Sequence, residues 1–447
     1  MPSRTAVPTA GGHGYASSIL FGITALALIF RFCWVVLKYA VNLFFYDEWN
    51  AYASLFERQP LWHVFVAQHG PHRQGLGVVI VTKLLYFAHW DSRVQAFTIA
   101  AAIVLAMILA TYLKIRAFGP ISAWDIAIPL IFLGLGQWEA LLGATGASPE
   151  AFPLLLIVAY CFAWIEGRGV IRNVAVLVIN FLLIFTGFGV FIAGITLLLF
   201  GLEAYHGAKT HDRWRTKTPL LSLAIATASL ASFLLWLSVR SVGSVLPLSV
   251  SRPRGLSRFL GTDVRQLSGC EAGRDARFDP RSGGHGCCEQ PTGVAHSSPL
   301  EKLFCGPCEH VDCHLAWIQP DILGSYSRGP CLLGPGRCAR YLTLLIPAFL
   351  GIYFSILAIP NQGQRVVLSG IFILVLLPSC VHRYHKEIEA FSALKQNWKQ
   401  CYRAHEDIRF CDAEAHFQLY PCPECIQMKE KLEFLKRNRL NLYADSK

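Results

Sequence analysis

Charge is what this 447-residue chain has least of: Asp, Glu, Lys and Arg make up 15% of it, against 53% hydrophobic residues and a mean hydropathy of +0.41. A soluble domain carries charge at about 25% of its positions, so that class is excluded. The apolar residues are gathered into runs that reach the ~20 residues needed to cross a bilayer. The net charge of +11 is therefore read as loop charge and lipid contact, and nucleic acid is excluded as a partner. The first apolar run, Tyr15 to Phe45, lacks a small-residue cleavage site and exceeds a signal core in length, which makes it a retained helix. No inverted repeat is visible, which counts against a transporter.

What is present is an all-α, polytopic pattern of about nine spans. A polar tail (1–14) precedes a membrane core (15–240) that contains an outer loop (46–90). An irregular segment (241–340), further spans (341–380) and a soluble helical tail (381–447) follow. The spans are expected at Tyr15–Phe45, Val94–Leu113, Ala123–Leu142, Pro149–Ile165, Val170–Phe185, Gly187–Tyr205, Pro219–Val239, Tyr341–Ile359 and Val366–Cys380. Basic clusters at Lys114 to Arg116, Arg168 to Arg172 and Lys209 to Lys217 belong on the cytoplasmic side. They agree with one another only if Gln74–Trp90 does not cross. That segment is therefore placed against the outer face, which also takes the Gln137-Trp138-Glu139 turn and the C-terminal tail.

Arg252 to Arg340 is rich in Arg, Gly, Ser, Pro and Cys and has no helical or strand period. It reads either as a long outer loop or as GC-rich codons translated in a wrong frame. Within it, Cys305, Cys308, Cys313 and His314 have the spacing of zinc ligands, without a second pair to complete a knuckle. In the tail, Cys422 and Cys425 form a close pair with Cys401 and Cys411 nearby in sequence. Outside a membrane these favour disulfides or idle thiols over metal. The last stretch, KEKLEFLKRNRLNLYADSK, has the period of an amphipathic helix burying Leu432, Leu435 and Leu440.

The organising stretch is Tyr46 to Arg73, YDEWNAYASLFERQPLWHVFVAQHGPHR. The acids Asp47 and Glu48 open it, and His69, His72 and Arg73 close it. A carboxylate at an outer helix end accepts a hydroxyl proton as a general base, although acids there are commonly just solvated. His and Arg donors suit a phosphate. Trp49, Tyr52 and Trp62 suit a sugar face or, more commonly, the interfacial belt.

An acidic pair just after the first span, a juxtamembrane loop and a polytopic core resemble the C-type membrane glycosyltransferases. YDEW, QHGPHR, GQWE, FTGFGVF and KLEFLKRNRLNLY are together similar to bacterial inner-membrane proteins related to that superfamily, over residues 15–240 and 341–447. Those relatives often carry Asn-Glu before the His-Arg where this chain has Gly70-Pro71, which removes one acid from the loop. The resemblance implies sugar transfer from a polyprenyl-phosphate donor to an acceptor on the periplasmic side of a bacterial inner membrane. Asp47 matches the base and Glu48 its partner or a metal ligand, with a divalent metal left open. His72 and Arg73 hold the lipid phosphate, and Glu139 approaches the same cavity. The alternative is a non-enzymatic lipid transporter or binding protein, for which Arg31 and Lys38 are the intramembrane candidates.

Overall fold

The computed structural model describes residues 13–69, 72–143, 146–210, 213–240, 330–331, 334–335, 342–380 and 383–444. The chain divides into two units, one formed by 1–244 with 338–447 and the other by 245–337. In the second, the described residues form a short antiparallel hairpin, β3 (Pro330–Cys331) with β4 (Gly334–Pro335). The Cys305 to His314 cluster lies outside the described residues.

The first unit is helical. Helix α1 (His13–Tyr39) leads into the short α2 (Glu48–Ala51), α3 (Ala53–Glu57) and α4 (Leu61–Val66). A two-residue hairpin follows, β1 (Gln68–His69) with β2 (His72–Arg73), and then α5 (Gly75–Phe87). The series continues with α6 (Arg93–Phe118), α7 (Ala127–Leu133), α8 (Trp138–Leu142), α9 (Phe152–Glu166), α10 (Gly169–Ile184), α11 (Val190–Lys209) and α12 (Arg213–Arg240). Helices α13 (Leu342–Leu357), α14 (Gln362–Cys380), α15 (Arg383–His405), α16 (Ile408–Glu414) and α17 (Met428–Asn438) complete it.

Six segments among the described residues are long and apolar enough to cross a membrane: Tyr15–Tyr39, Arg93–Phe118, Ala123–Leu142, Pro149–Glu166, Val190–Lys209 and Thr216–Leu235. The multi-pass character therefore stands, while α10 and α13 are shorter apolar helices. Two details differ from the sequence reading. The first helix stops at Tyr39, and Leu43, Phe44 and Phe45 turn into the core with no exposure. Ala123–Leu142 is broken into α7, α8 and two 3-10 turns, with all seven residues of α7 buried. Helix α5, at 13 residues, measures about 20 Å, short of the ~30 Å hydrocarbon core.

Ion pairs tie together the helix ends that carry the basic clusters. Arg116 at the end of α6 meets Glu166 at the end of α9 at 2.9 Å, and Arg172 in α10 meets Glu203 in α11 at 2.6 Å. Lys114 is not a loop charge: it is buried against Asp125 at 2.5 Å, and Tyr353 donates to the same carboxylate at 2.7 Å. A buried pair tolerates its desolvation only when its remaining lone pairs are also satisfied, and the Ser122 N–H, 2.6 Å from Asp125 Oδ2, supplies a further donor.

At the opposite end the tail closes over the chain leaving α1. Helix α15 buries Ile388, Phe391, Lys395, Trp398 and Tyr402, a 3-4-3-4 spacing that makes one face of a helix. Leu432 and Leu435 of α17 are fully buried and Leu440 partly so. Asn441 fastens the joint. Its side chain accepts from Phe44 N at 3.3 Å and donates to Asn42 Oδ1 at 3.1 Å and to the Trp90 carbonyl at 2.8 Å. Its φ of +49° is a left-handed conformation that Asn tolerates better than most residues. Asn441→Ala should therefore cost about 2–3 kcal/mol, from stranded backbone groups and a strained alanine. Denaturant unfolding in detergent checks this, and a loss below half a kcal/mol would show that the clasp is incidental.

Candidate functional site

The site begins where α1 ends. Tyr46 sits at φ +50° and its N–H donates to Leu419 O at 3.0 Å, so the tail holds the turn that presents the next two residues. Successive helical positions point about 100° apart, and the adjacent acids part accordingly. Asp47 keeps 17% of its side chain exposed, and His69 Nε2 lies 3.5 Å from its Oδ1. Glu48 turns inward and is 2% exposed. The acid and base ends of the organising stretch thus meet, through Asp47 and His69.

The small hairpin delivers the histidines. His69 pairs with His72 across β1 and β2, their rings 5.8 Å apart, and His72 packs on Phe188 at 5.2 Å. Arg73 is 1% exposed, donates to Val66 O at 3.0 Å and lies 5.6 Å from the Phe233 ring. Its carbonyl accepts from Gly187 N at 3.1 Å. Gly75 follows at φ +57°, close against Phe185 and Thr186, so a side chain there would be excluded twice, by conformation and by space. The QHGPHR and FTGFGVF motifs are therefore one joint. The expectation that Arg73 faces a lipid phosphate meets a guanidinium enclosed by protein.

Glu48 departs furthest from its expected place beside a reacting group. Its Oε2 accepts from Phe45 N at 2.7 Å and its Oε1 from Gln95 Nε2 at 2.6 Å, while Tyr52 donates to Gln95 Oε1. Lys395 completes the group, 5.5 Å from the Phe45 ring and 5.7 Å from that of Phe391. A cavity of about 10 Å³ lies among Glu48, Ser92, Gln95 and Lys395, the size of about one water. Burial pushes the Glu48 carboxyl up to about 7, against the pull of Lys395 and the two donors. Burial likewise lowers Lys395, opposed by Glu48, and raises Tyr52.

Other expected members are placed differently. Glu139 lies in the short helix α8 and is 6% exposed, between the buried Trp138 and Ala140. Trp49 and Tyr52 are fully buried, in neither a sugar face nor a belt, whereas Trp62 is half exposed. Among the described residues a divalent metal finds no ligand set. Asp47 and His69 offer two donors, Glu48 is committed inward, and no group of three His, Cys, Asp or Glu converges among the described residues. The residues that sequence reasoning passed over are Gln95 and Lys395. Lys395 had a signal, since it occupies an apolar position in the stripe from Ile388 to Tyr402. Comparison with family models, curated proteins and solved structures returned no match.

Proposed function

We propose that the chain is a membrane glycosyltransferase of the C-type kind, moving a sugar from a polyprenyl-phosphate donor to an acceptor hydroxyl. The observation that carries this reading is the partly exposed Asp47 at the exit of α1, with His69 Nε2 3.5 Å away. Asp47 takes the acceptor proton as the acceptor oxygen bonds to the anomeric carbon. The carbon–oxygen bond to the lipid phosphate breaks, and its electron pair leaves on that phosphate. His69 holds the carboxylate in place, and His72 with it faces the donor phosphate. Arg73 supports the hairpin that carries both. The transport alternative has less support: Arg31 donates to the Cys380 carbonyl, and Lys38 lies 4.8 Å from the Tyr39 ring. The test is transfer of labelled sugar from a polyprenyl-phosphate donor by the purified full-length chain. Absence of any transfer across donors of differing sugar and chain length would sink the reading.

We further propose that the active face lies on the periplasmic side of a bacterial inner membrane. Two disulfides, Cys401–Cys411 and Cys422–Cys425, lie in the tail, and such bonds persist in oxidising compartments. The tail shares a face with Asp47 through the Tyr46–Leu419 bond and through Asn50, which donates to Tyr420 at 2.8 Å. Cysteines introduced at Gln59 and Glu414 should react with an impermeant thiol reagent in intact cells. Cysteines at Arg168 and Lys209 should react only after lysis. Labelling of Gln59 and Arg168 from the same side would refute this arrangement.

A further inference from the structure

A groove of about 820 Å³ runs between the α3–α4 turn, α5 and α17, within the volume range of small-molecule sites. None of Asp47, His69, His72 or Arg73 lines it. Arg58, Lys83 and His89 do, and no described carboxylate joins them. Neither Arg58 nor Lys83 has an ion-pair partner among the described residues, and Glu57, next in sequence, is exposed with its carboxylate bonded to Gln59.

The groove wall also holds two hydroxyls that are out of place. Ser54 is 8% exposed and Thr82 7%, and neither side-chain oxygen, each closed off from solvent, has a hydrogen-bond partner among the described residues. A helical Ser or Thr ordinarily bonds back to a carbonyl one turn earlier, and a buried hydroxyl left unpaired is costly. The backbone around the groove is strained as well: Arg58, His89 and Trp90 adopt φ of +52°, +52° and +59°. Arg58 takes it as the left-handed cap that ends α3, whereas two such non-glycine residues in succession, as at His89 and Trp90, are uncommon. Beside Lys83, helix α5 exposes Leu84, Tyr86 and Phe87 at 40%, 68% and 75%, a surface suited to acyl chains.

We infer that this groove binds the phosphate-bearing headgroup of an anionic membrane lipid, with its chains against the exposed face of α5. Arg58 and Lys83, both exposed, meet the phosphate charge, and Trp90 and Phe434 wall the glycerol region. The inference does not rest on the glycosyltransferase reading, because it uses none of that site's residues.

The test uses the delipidated full-length protein in neutral detergent, titrated with phosphatidylglycerol, with phosphatidylcholine or with inorganic phosphate. Bound lipid is counted by native mass spectrometry and thermal stability is followed in parallel. Phosphatidylglycerol should be retained one per chain and raise the melting temperature, and phosphatidylcholine should do neither. Arg58→Gln with Lys83→Gln should weaken retention by about thirtyfold. The lipid-free melting temperature of that double variant separates lost binding from lost folding. It should match that of the unsubstituted chain, because both side chains are exposed, while retention falls. Equal retention of the two lipids, unchanged retention in the double variant, or inorganic phosphate stabilising the protein as fully as phosphatidylglycerol would each overturn the assignment.

Discussion

Asp47→Asn should lower sugar transfer from a polyprenyl-phosphate donor by ~10² to 10⁴, the usual contribution of a general base, with little change in stability. Both halves follow from geometry. The carboxylate is partly exposed and faces His69 across 3.5 Å, so an amide of the same shape fits the same space but does not take a proton. The amide keeps the side-chain volume and one acceptor oxygen, which holds the loss in stability to about 1 kcal/mol. Arg73→Ala gives the contrasting outcome. Arg73 is enclosed and bonded to Val66 O, so its loss should lower the melting temperature along with activity, where a surface phosphate contact would weaken donor binding alone. Single-turnover rates and thermal unfolding of the same preparations distinguish the two. Full activity in Asp47→Asn would end the assignment of the base.

The parts of this arrangement that were legible in the sequence are those set by periodicity. Apolar runs placed the helices, and the three-residue spacing of Leu432 and Leu435 identified the buried side of α17. Scarce charge made the cluster of acids and bases stand out, but the expected neighbours of Asp47 were His72 and Arg73, and the residue brought to it is His69. The direction of each acid was not legible. Adjacent residues on a helical turn point to different sides, so the pair Asp47-Glu48 required one to face inward. Only the packing of Phe45, Gln95 and Lys395 decides which. The motifs were read as chemistry, yet Glu48, Trp49, Gln137, Trp138, Thr186 and Asn441 are core residues. They are polar or large because they join segments far apart in sequence, as Asn441 joins Asn42 and Thr343 donates to Gln137 at 3.0 Å. No local pattern announces a partner several hundred residues away.

Glu48 and Lys395 should govern how stability depends on pH. In the folded chain burial holds the Glu48 proton until about pH 7, whereas an ordinary glutamate releases it near 4.5. Between those values the folded state binds more protons than the unfolded one, so stability contributed by this group is full below about 4.5 and lost as pH rises through 7. A shift of that size corresponds to about 3 kcal/mol. Lys395 works oppositely: burial lowers it from 10.5, so its contribution grows as pH rises toward that value. Glu48→Gln should therefore abolish the fall in stability between pH 5 and 7.5 while retaining an oxygen for the Phe45 N–H. Glu48→Ala strands that N–H as well, and both variants leave Lys395 buried without its counter-charge, which should cost about 3–5 kcal/mol above pH 7. Lys395→Met combined with Glu48→Gln should recover most of the loss, because methionine continues the stripe between Phe391 and Trp398 and no charge remains to be solvated. Thermal unfolding in detergent across that pH range measures all four proteins. A Glu48→Gln chain that keeps the wild-type slope would show that the buried carboxyl is not the titrating group. One that keeps wild-type stability but loses transfer would return Glu48 to the catalytic site.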